Sequence, residues 1–338
     1  MTAAVIGATG RVGSEIVRGV LASGEAVTAL VRDPGKARRA FGEPAGLHIR
    51  PTHLDDPSDL AEALDGIGTV FFAMGSVGIE GVLQRIAINA AAGIPSIEQV
   101  TRLSVLNASA DSLGINQRAH YSIDQFASST AVPYSTIRPA IFSASLLAAA
   151  REVRASRTWT GLAGSGRMAL IDHRDAAEAG LRVLTEPALW GAHHDLTGPV
   201  PMSWPKALEL LSAELGELVT FRVAAERQFL ERLTGAGVPA GTAELLITRE
   251  WAILVGENDY TTGTFQQITG RPPRPVAEFL HDYRAQFVLC PRAILTRSRP
   301  AASSPAPAST SQVPVGLRCP DRAAIGRLEF RPGIAVCA

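Results

Sequence analysis

Lysine is almost missing from this chain. Of 32 basic residues only Lys36 and Lys206 are lysines, and the rest are arginine. Any catalytic pair that needs a lysine at a fixed spacing therefore has only two places to be. Cysteine is scarce too: Cys290, Cys319 and Cys337 are odd in number and late in the chain, which argues against a disulfide framework or a cysteine-built metal site. No apolar run approaches the roughly 18 residues that cross a bilayer. Neither charge sign is in excess, with 32 basic and 32 acidic residues, so there is no general electrostatic case for nucleic acid or an anionic membrane. The opening "MTAAVIGATG" turns glycine-rich after a few apolar residues and does not read as a signal peptide. The expected compartment is the cytoplasm.

What is present is ordinary globular material: 338 residues, 46% hydrophobic and 19% charged, enough to bury a sizeable core. "AAVI" at 3–6, "AVTALVR", the weaker "LHIRP", "TVFFAMG", "VTRLSVLN" and "YSTIRPAIF" read as strands. "SEIVRGVLASG", "PSDLAEALDG" (with Asp55 or Asp56 near its cap), "IEGVLQRIAINAAAGI" and "QRAHYSIDQFASS" read as helices between them. That alternation predicts an α/β fold with a doubly wound parallel sheet. Beyond about residue 145 the alternation weakens and the pattern becomes mostly helical, which predicts a smaller lobe over residues 146–288 beside a nucleotide-binding core at 1–145, with possible return strands. Residues 289–338 form a tail. Within it 299–315, "RPAASSPAPASTSQVPV", is too poor in large apolar residues to pack and is expected to be disordered.

"VIGATGRVGSEIV" places Gly7, Gly10 and Gly13 at the first strand-to-helix turn. In such a turn the first glycine permits the tight bend, the second lets backbone amides approach a pyrophosphate, and the third lets the helix pack on the strand. The helix N-terminus adds unpaired N–H groups and partial positive charge. The second strand ends in "VRDPGKARR". Arg32 offers a planar donor fork suited to a phosphate, with Arg11, Lys36 and Arg39 nearby, so the expected cofactor is NADP(H). Asp33, directly after Arg32, would instead serve a ribose 2′-hydroxyl if the strand ends one residue later.

"GATGRVG", "VRDPGKA", "HLDDPSDLAEAL", "VTRLSVL", "STIRPAIF", "IDHRDAAEAGLRVL", "HDLTGP" and "TGRPPRPVAEFL" occur in that order over residues 3–284. Together they resemble the atypical, extended short-chain dehydrogenase/reductases, especially the NmrA-like branch. The resemblance implies a Rossmann-type core with a small C-terminal substrate lobe. Gly7, Thr9, Gly10, Arg11 and Val12 would line the diphosphate, and Arg32 would hold the 2′-phosphate. Ala73, Met74 and Gly75 would pass the adenosine side, and Pro139, Ala140, Ile141 and Phe142 would lie along the nicotinamide. His53 falls where many relatives carry an acidic residue near the adenine.

Catalytic members use a Ser, and a Tyr and Lys four residues apart. Counted back from "IRP", the Tyr position falls on Asn116, the Lys position on His120 and the Ser position near Asn107 or Ala108. Four residues before Lys36 is Arg32, and four before Lys206 is Met202, so no Tyr-x-x-x-Lys exists anywhere. His120 and Asn107 are then the cofactor contacts expected on that side. His120 and the adjacent Tyr121 are the candidate acids, although Tyr121 is about 100° round the helix.

Three readings remain open. One is an NADPH-dependent ketoreductase acting on a flat aromatic polyketide ketone, with the substrate's own phenol assisting, which resembles the tetrad-lacking angucyclinone-type enzymes. The second is a quinone or azo reductase, which needs little acid help. The third is a redox-sensing regulator that binds NADP(H) without turnover. The expected partner is a small aromatic substrate, with oligomeric state open. No metal is expected, since the His pair in "GAHHDLTG" points to opposite faces of a strand and lacks partners at ligand spacing. Ser104 is expected to face into the sheet, Arg174 and Asp175 to cap a helix and brace the lobe, and the four tryptophans, all from residue 159 onward, to pack the core or floor a pocket.

Overall fold

The structure, a computed structural model, describes residues 2–288. The expected tail at 289–338, its disordered stretch and the three cysteines lie outside the described residues. The first part alternates in chain order: β1 (Ala3–Ile6), α1 (Arg11–Ala22), β2 (Val27–Val31), α2 (Pro34–Phe41), β3 (Leu47–Pro51), α3 (Pro57–Leu64), β4 (Thr69–Phe72), α4 (Ile79–Ala92), β5 (Gln99–Leu103), α5 (Ile115–Ser128) and β6 (Tyr134–Pro139). Then follow α6 (Ala150–Ser156), β7 (Thr158–Gly161), α7 (His173–Thr185), β8 (His193–Leu196), α8 (Trp204–Leu215), β9 (Thr220–Val223), α9 (Glu226–Gly235), α10 (Ala240–Leu254), α11 (Thr264–Thr269) and α12 (Val276–Asp282).

Seven strands form one sheet in the order β3-β2-β1-β4-β5-β6-β8, and every pair is parallel. A parallel sheet is covered on both faces, which is why "AAVI" and "TVFF" are buried at all eight positions. Val5, Phe71 and Ile137 pack with Ile16 and Val183 on one face. Ile6, Phe72 and Val100 pack with Leu60, Ile88 and Ile123 on the other. Helix starts follow local chemistry. Asp33, Asp56, Asp172 and Ser203 cap α2, α3, α7 and α8 with side-chain oxygens, and proline occupies the first turn of α2, α3 and α8.

Four expectations need correction or refinement. Residues on both sides of the expected boundary at 145 fall in one compact unit, and β8 is a return strand of the kind anticipated for the second part. β8 extends the sheet beside β6, and α7 packs so closely on it that a Cβ at Gly180 would come within 2.9 Å of the Phe71 ring. β5 stops at Leu103 instead of running to Asn107, which turns the chain with φ of 57°. Asp172, not Arg174 or Asp175, caps α7. Asp175 is fully buried and braces the later "TGRPPRP" segment, accepting from Arg271 and from the Arg274 backbone N–H at 2.7 and 2.6 Å. The two-stranded β7–β9 sheet was not foreseen, since "TFRV" is short and half to fully exposed.

Trp159 and Trp204 meet edge to face at 4.9 Å in a second core with Phe279 and Phe287, whereas Trp251 is 39% exposed. Core packing therefore accounts for only two of the four tryptophans. No helix among the described residues is long and apolar enough to cross a membrane.

Candidate functional site: the nucleotide cleft and the catalytic end

Gly7 opens the β1–α1 turn at φ +79°, and a Cβ there would lie 2.2 Å from the Ala73 carbonyl oxygen at the end of β4. Only glycine tolerates both the conformation and the approach. A Cβ at Gly13 would lie 2.3 Å from the Gly7 carbonyl oxygen, so the third glycine seats α1 on the turn. Gly10 is the N-cap of α1 and carries no side-chain cap. The first-turn N–H groups are thereby left for an anion.

Gly7, Thr9, Gly10, Arg32, Lys36, Ala73, Met74 and Gly75, all expected at the cofactor, line one cleft with a cavity of about 240 Å³. Arg11 and Val12 do not line it. Arg11 is exposed and Val12 turns its side chain into the core, which leaves backbone N–H groups as what those positions offer an anion. Asp33 is engaged: its Oδ1 accepts the Lys36 backbone N–H at 2.9 Å as the α2 cap. Arg32 and Lys36 are the cations that face the cleft.

An adjoining cleft of about 390 Å³ shares Arg32, Thr52, Leu54 and Leu83 and adds His53 and Ile79. The His53 backbone N–H donates to Asp59 at 2.7 Å and, as the leading cause, holds that carboxyl below its ordinary range. Thr52, Leu54, Glu80 and Leu83 were missed from sequence. The available signal was the carboxyl end of β3, where "THL" stands beside the turn.

The other residues expected at the site lie elsewhere. His120 is 5% exposed, and its Nδ1 is 2.6 Å from Arg102 Nη2. A guanidinium only donates, so Nδ1 accepts. Burial first, then the Arg102 and Arg138 charges, hold this imidazole well below its ordinary pKa. His120 is therefore neutral near pH 7. Arg102 is fully buried on β5 and also donates to Gln84 Oε1 at 2.6 Å and to Asp124 Oδ1 at 2.5 Å. Asp124 further accepts from Ser104, Tyr134 and Arg138 at 2.9, 2.8 and 3.1 Å. Burial, reinforced by Asp124, pushes the Tyr134 hydroxyl far up. Gln84 completes the chain by donating to the Gly75 carbonyl in the cleft wall.

Tyr121, the residue after His120 on α5, is half-buried. Asn116, at the tyrosine position of the resemblance, accepts from Ser76 Oγ at 3.1 Å. Asn107 donates to Glu257 at 3.3 Å. Pro139 ends β6. Ala140 donates its N–H to the Leu196 carbonyl at 2.7 Å, and Phe142 pairs with Ile171, with Ile141 between them. None of these lines either cleft. Among the described residues no group of three His, Cys, Asp or Glu is placed to hold a metal ion.

A parallel sheet in this order, with a glycine turn and cations at the ends of β1 and β2, defines a Rossmann-type dinucleotide-binding protein. The profile of a family described as NAD(P)H-binding matches residues 7–187, more than half of the chain, and the chain belongs to that family. An NAD(P)H azoreductase of Xenophilus azovorans is 29% identical over 84% of this chain and 98% of its own. Quinone oxidoreductase 2 of Escherichia coli is 26% identical over 81% of this chain and 96% of its own. The solved E. coli NADPH-dependent quinone oxidoreductase in complex with NADPH superimposes with a TM-score of 0.77 at 25% identity, over 83% of this chain and 99% of that one. The negative transcriptional regulator NmrA, solved with NAD, gives a TM-score of 0.65 at 16% identity over 83% and 94%, which is a likeness of fold. The chain is an NAD(P)H-dependent oxidoreductase, and its cleft fits the cofactor: a turn that a Cβ would block, free helix-start amides and two cations.

Proposed function

We propose that this protein is an NADPH-dependent reductase of quinone or azo acceptors. One observation carries the reading: neither position of the usual Tyr–Lys pair supplies an acid. Asn116 stands at the tyrosine position, and His120, at the lysine position, is buried, neutral and turned to Arg102. A simple ketone needs a proton donor as its alkoxide forms. A quinone does not, because the hydroquinone anion is already stable. The bound nicotinamide would supply the hydride, the quinone would gain two electrons and that hydrogen, and solvent would supply the second proton. The names of the two sequence relatives point to the same acceptors. They support quinone and azo substrates over the aromatic polyketide ketone.

The phosphate form of the cofactor rests on Arg32 and Lys36 facing the cleft while Asp33 is spent on the α2 cap. The turn, the Ala73–Gly75 strand end and the two cations would hold the nucleotide, and Leu54 and Leu83 offer apolar walls to its base.

The test follows NADPH oxidation by purified protein against a naphthoquinone, an azo dye and a phenolic aromatic ketone. Quinone or azo turnover that outpaces the ketone is expected. Faster turnover of the ketone, lost when its neighbouring hydroxyl is methylated, would return the reading to a ketoreductase. Tight NADPH binding with no turnover would make the protein a sensor.

A further inference from the structure

The turn at 256–262, after α10, ties together segments that the fold brings to the carboxyl ends of β5, β6 and β8. Glu257 is its latch. Its carboxylate accepts from Ser112 Oγ at 2.5 Å, the Leu113 N–H at 2.8 Å and Asn107 Nδ2 at 3.3 Å, all in the loop after β5. At the other end Thr262 donates to the Asp195 carbonyl at 2.7 Å and to Thr197 Oγ1 at 2.9 Å. In open α/β sheets ligands bind outside these strand ends.

Asn258 lies inside this turn and is 1% exposed. Its carbonyl accepts the Ala169 N–H at 3.3 Å, and two residues on, Ile171 donates to the Ile141 carbonyl at 3.0 Å and pairs with Phe142. Asn258 is thus flanked by the Asn107 loop on one side and by the strip paired with Phe142 on the other. Neither Nδ2 nor Oδ1 has a hydrogen-bond partner within the protein. Other buried amides differ: Gln84 has both ends engaged, and Gln99 donates its Nε2 to the Val100 carbonyl and leaves only Oε1 unpaired. An amide buried with both ends empty opposes folding. A buried polar group in that state calls for a partner.

We propose that Asn258 is the residue that holds the acceptor atom of the substrate, an inference that rests on the quinone or azo reading above. As hydride reaches a quinone ring, negative charge gathers on the carbonyl oxygen. A fixed neutral N–H donor in a dry site stabilises that charge without giving up a proton, which suits a site where Asn116 and His120 stand at the usual acid-pair positions. Nδ2 donates to this oxygen, or to the azo nitrogen, and Oδ1 is left to accept from the reduced product. Substrate reaches the amide when the Glu257 latch releases and the turn lifts.

The variant is Asn258→Leu, close in size and without polar atoms. With NADPH and a naphthoquinone, kcat/KM is expected to fall about a hundredfold, with kcat carrying most of the loss. The NADPH Kd, read from tryptophan fluorescence, is expected to hold, and the melting temperature to hold or rise, since an unpaired buried amide is gone. Asn258→Ser, which keeps a donor, is expected to recover part of kcat. An unchanged kcat/KM in Asn258→Leu would overturn the assignment. So would a loss of activity matched by equal losses of melting temperature and NADPH affinity, the mark of a structural amide. A second arm is independent of turnover: calorimetric binding of the naphthoquinone to NADP+-loaded protein should weaken about tenfold in Asn258→Leu, roughly one lost hydrogen bond. If the wild type binds quinone through Asn258 but never reduces it, the reductase reading fails and this assignment stands. Equal binding by both proteins, or none by the wild type, removes it.

Discussion

The two ends of the sheet's carboxyl edge are built from different material. At β1, β2 and β4 the site is mostly backbone. It is a turn closed to any Cβ, uncapped helix amides and an open cleft with two cations on its rim. At β5, β6 and β8 it is mostly side chain: a buried Arg102–Asp124 pair with Gln84, His120, Ser104, Tyr134 and Arg138 around it, and the 256–262 turn nearby. The open end is shaped to receive a charged, flexible nucleotide, which brings its own phosphates to unpaired donors. The closed end is ordered in advance, and Arg102, Asp124, Gln84 and His120 already answer one another. Such a division suits a hydride acceptor that needs orientation more than acid.

Removing the centre of the closed end should have the largest effect. Arg102→Met leaves Asp124, Gln84 and His120 each short of a donor in a site without water access. Breaking one partner out of a buried pair costs about 3–5 kcal/mol, measurable as a fall in the denaturant midpoint. Because Gln84 links Arg102 to the Gly75 carbonyl, NADPH affinity should fall with it. A stable Arg102→Met protein would show that the two ends are independent. At the open end, Gly7→Ala forces a left-handed residue against the Ala73 carbonyl. The conformation alone costs about 1–3 kcal/mol. Nucleotide binding should vanish while the far end keeps its fold, and full NADPH affinity in this variant would refute the backbone account of the turn.

That difference in material also decides what could be read from sequence. Gly7, Gly10 and Gly13 announce a backbone requirement through their own spacing, and the strand–helix alternation follows from periodicity, so the fold and the nucleotide half were legible. The place of Arg32 on the cleft was legible for the same reason, because it directly follows a recognisable strand. Arg32→Ala should raise the KM for NADPH about ten- to a hundredfold, one charged hydrogen bond's worth, and leave NADH nearly unchanged. Equal losses would mean that the fork does not read the phosphate. The closed end was not legible. Arg102, Gln84 and Asp124 are 18 and 22 residues apart from partner to partner, and no local pattern marks them. His120 was visible as a histidine near the right count, but its pairing with Arg102 requires β5 and α5 to be packed first. Asn258 had no signal at all, because an unpaired amide is a property of the folded surroundings.

The smallest expected effect is a dependence on pH, and it separates the closed end from the exposed surface. Burial, with Arg102 and Arg138 adding to it, depresses the native pKa of His120, while the unfolded chain titrates near about 6.5. Above that value both states carry a neutral imidazole and His120 contributes no pH dependence. Below it the unfolded chain takes up a proton that the native chain refuses, so stability falls as the pH drops. The slope from one such group is at most about 1.4 kcal/mol per pH unit. Asp124 is already held by four donors and does not relieve the imidazole. His173 and His193 are lowered too, mainly by burial, but they remain in both proteins and cancel in a difference. Asn and Gln cannot titrate, so His120→Gln keeps an acceptor for Arg102 and should flatten part of the acid limb between about pH 6.5 and 5. Denaturant unfolding of both proteins across that range reads it directly. Parallel acid limbs would mean that the imidazole is protonated in the native state, and would restore His120 as a proton donor.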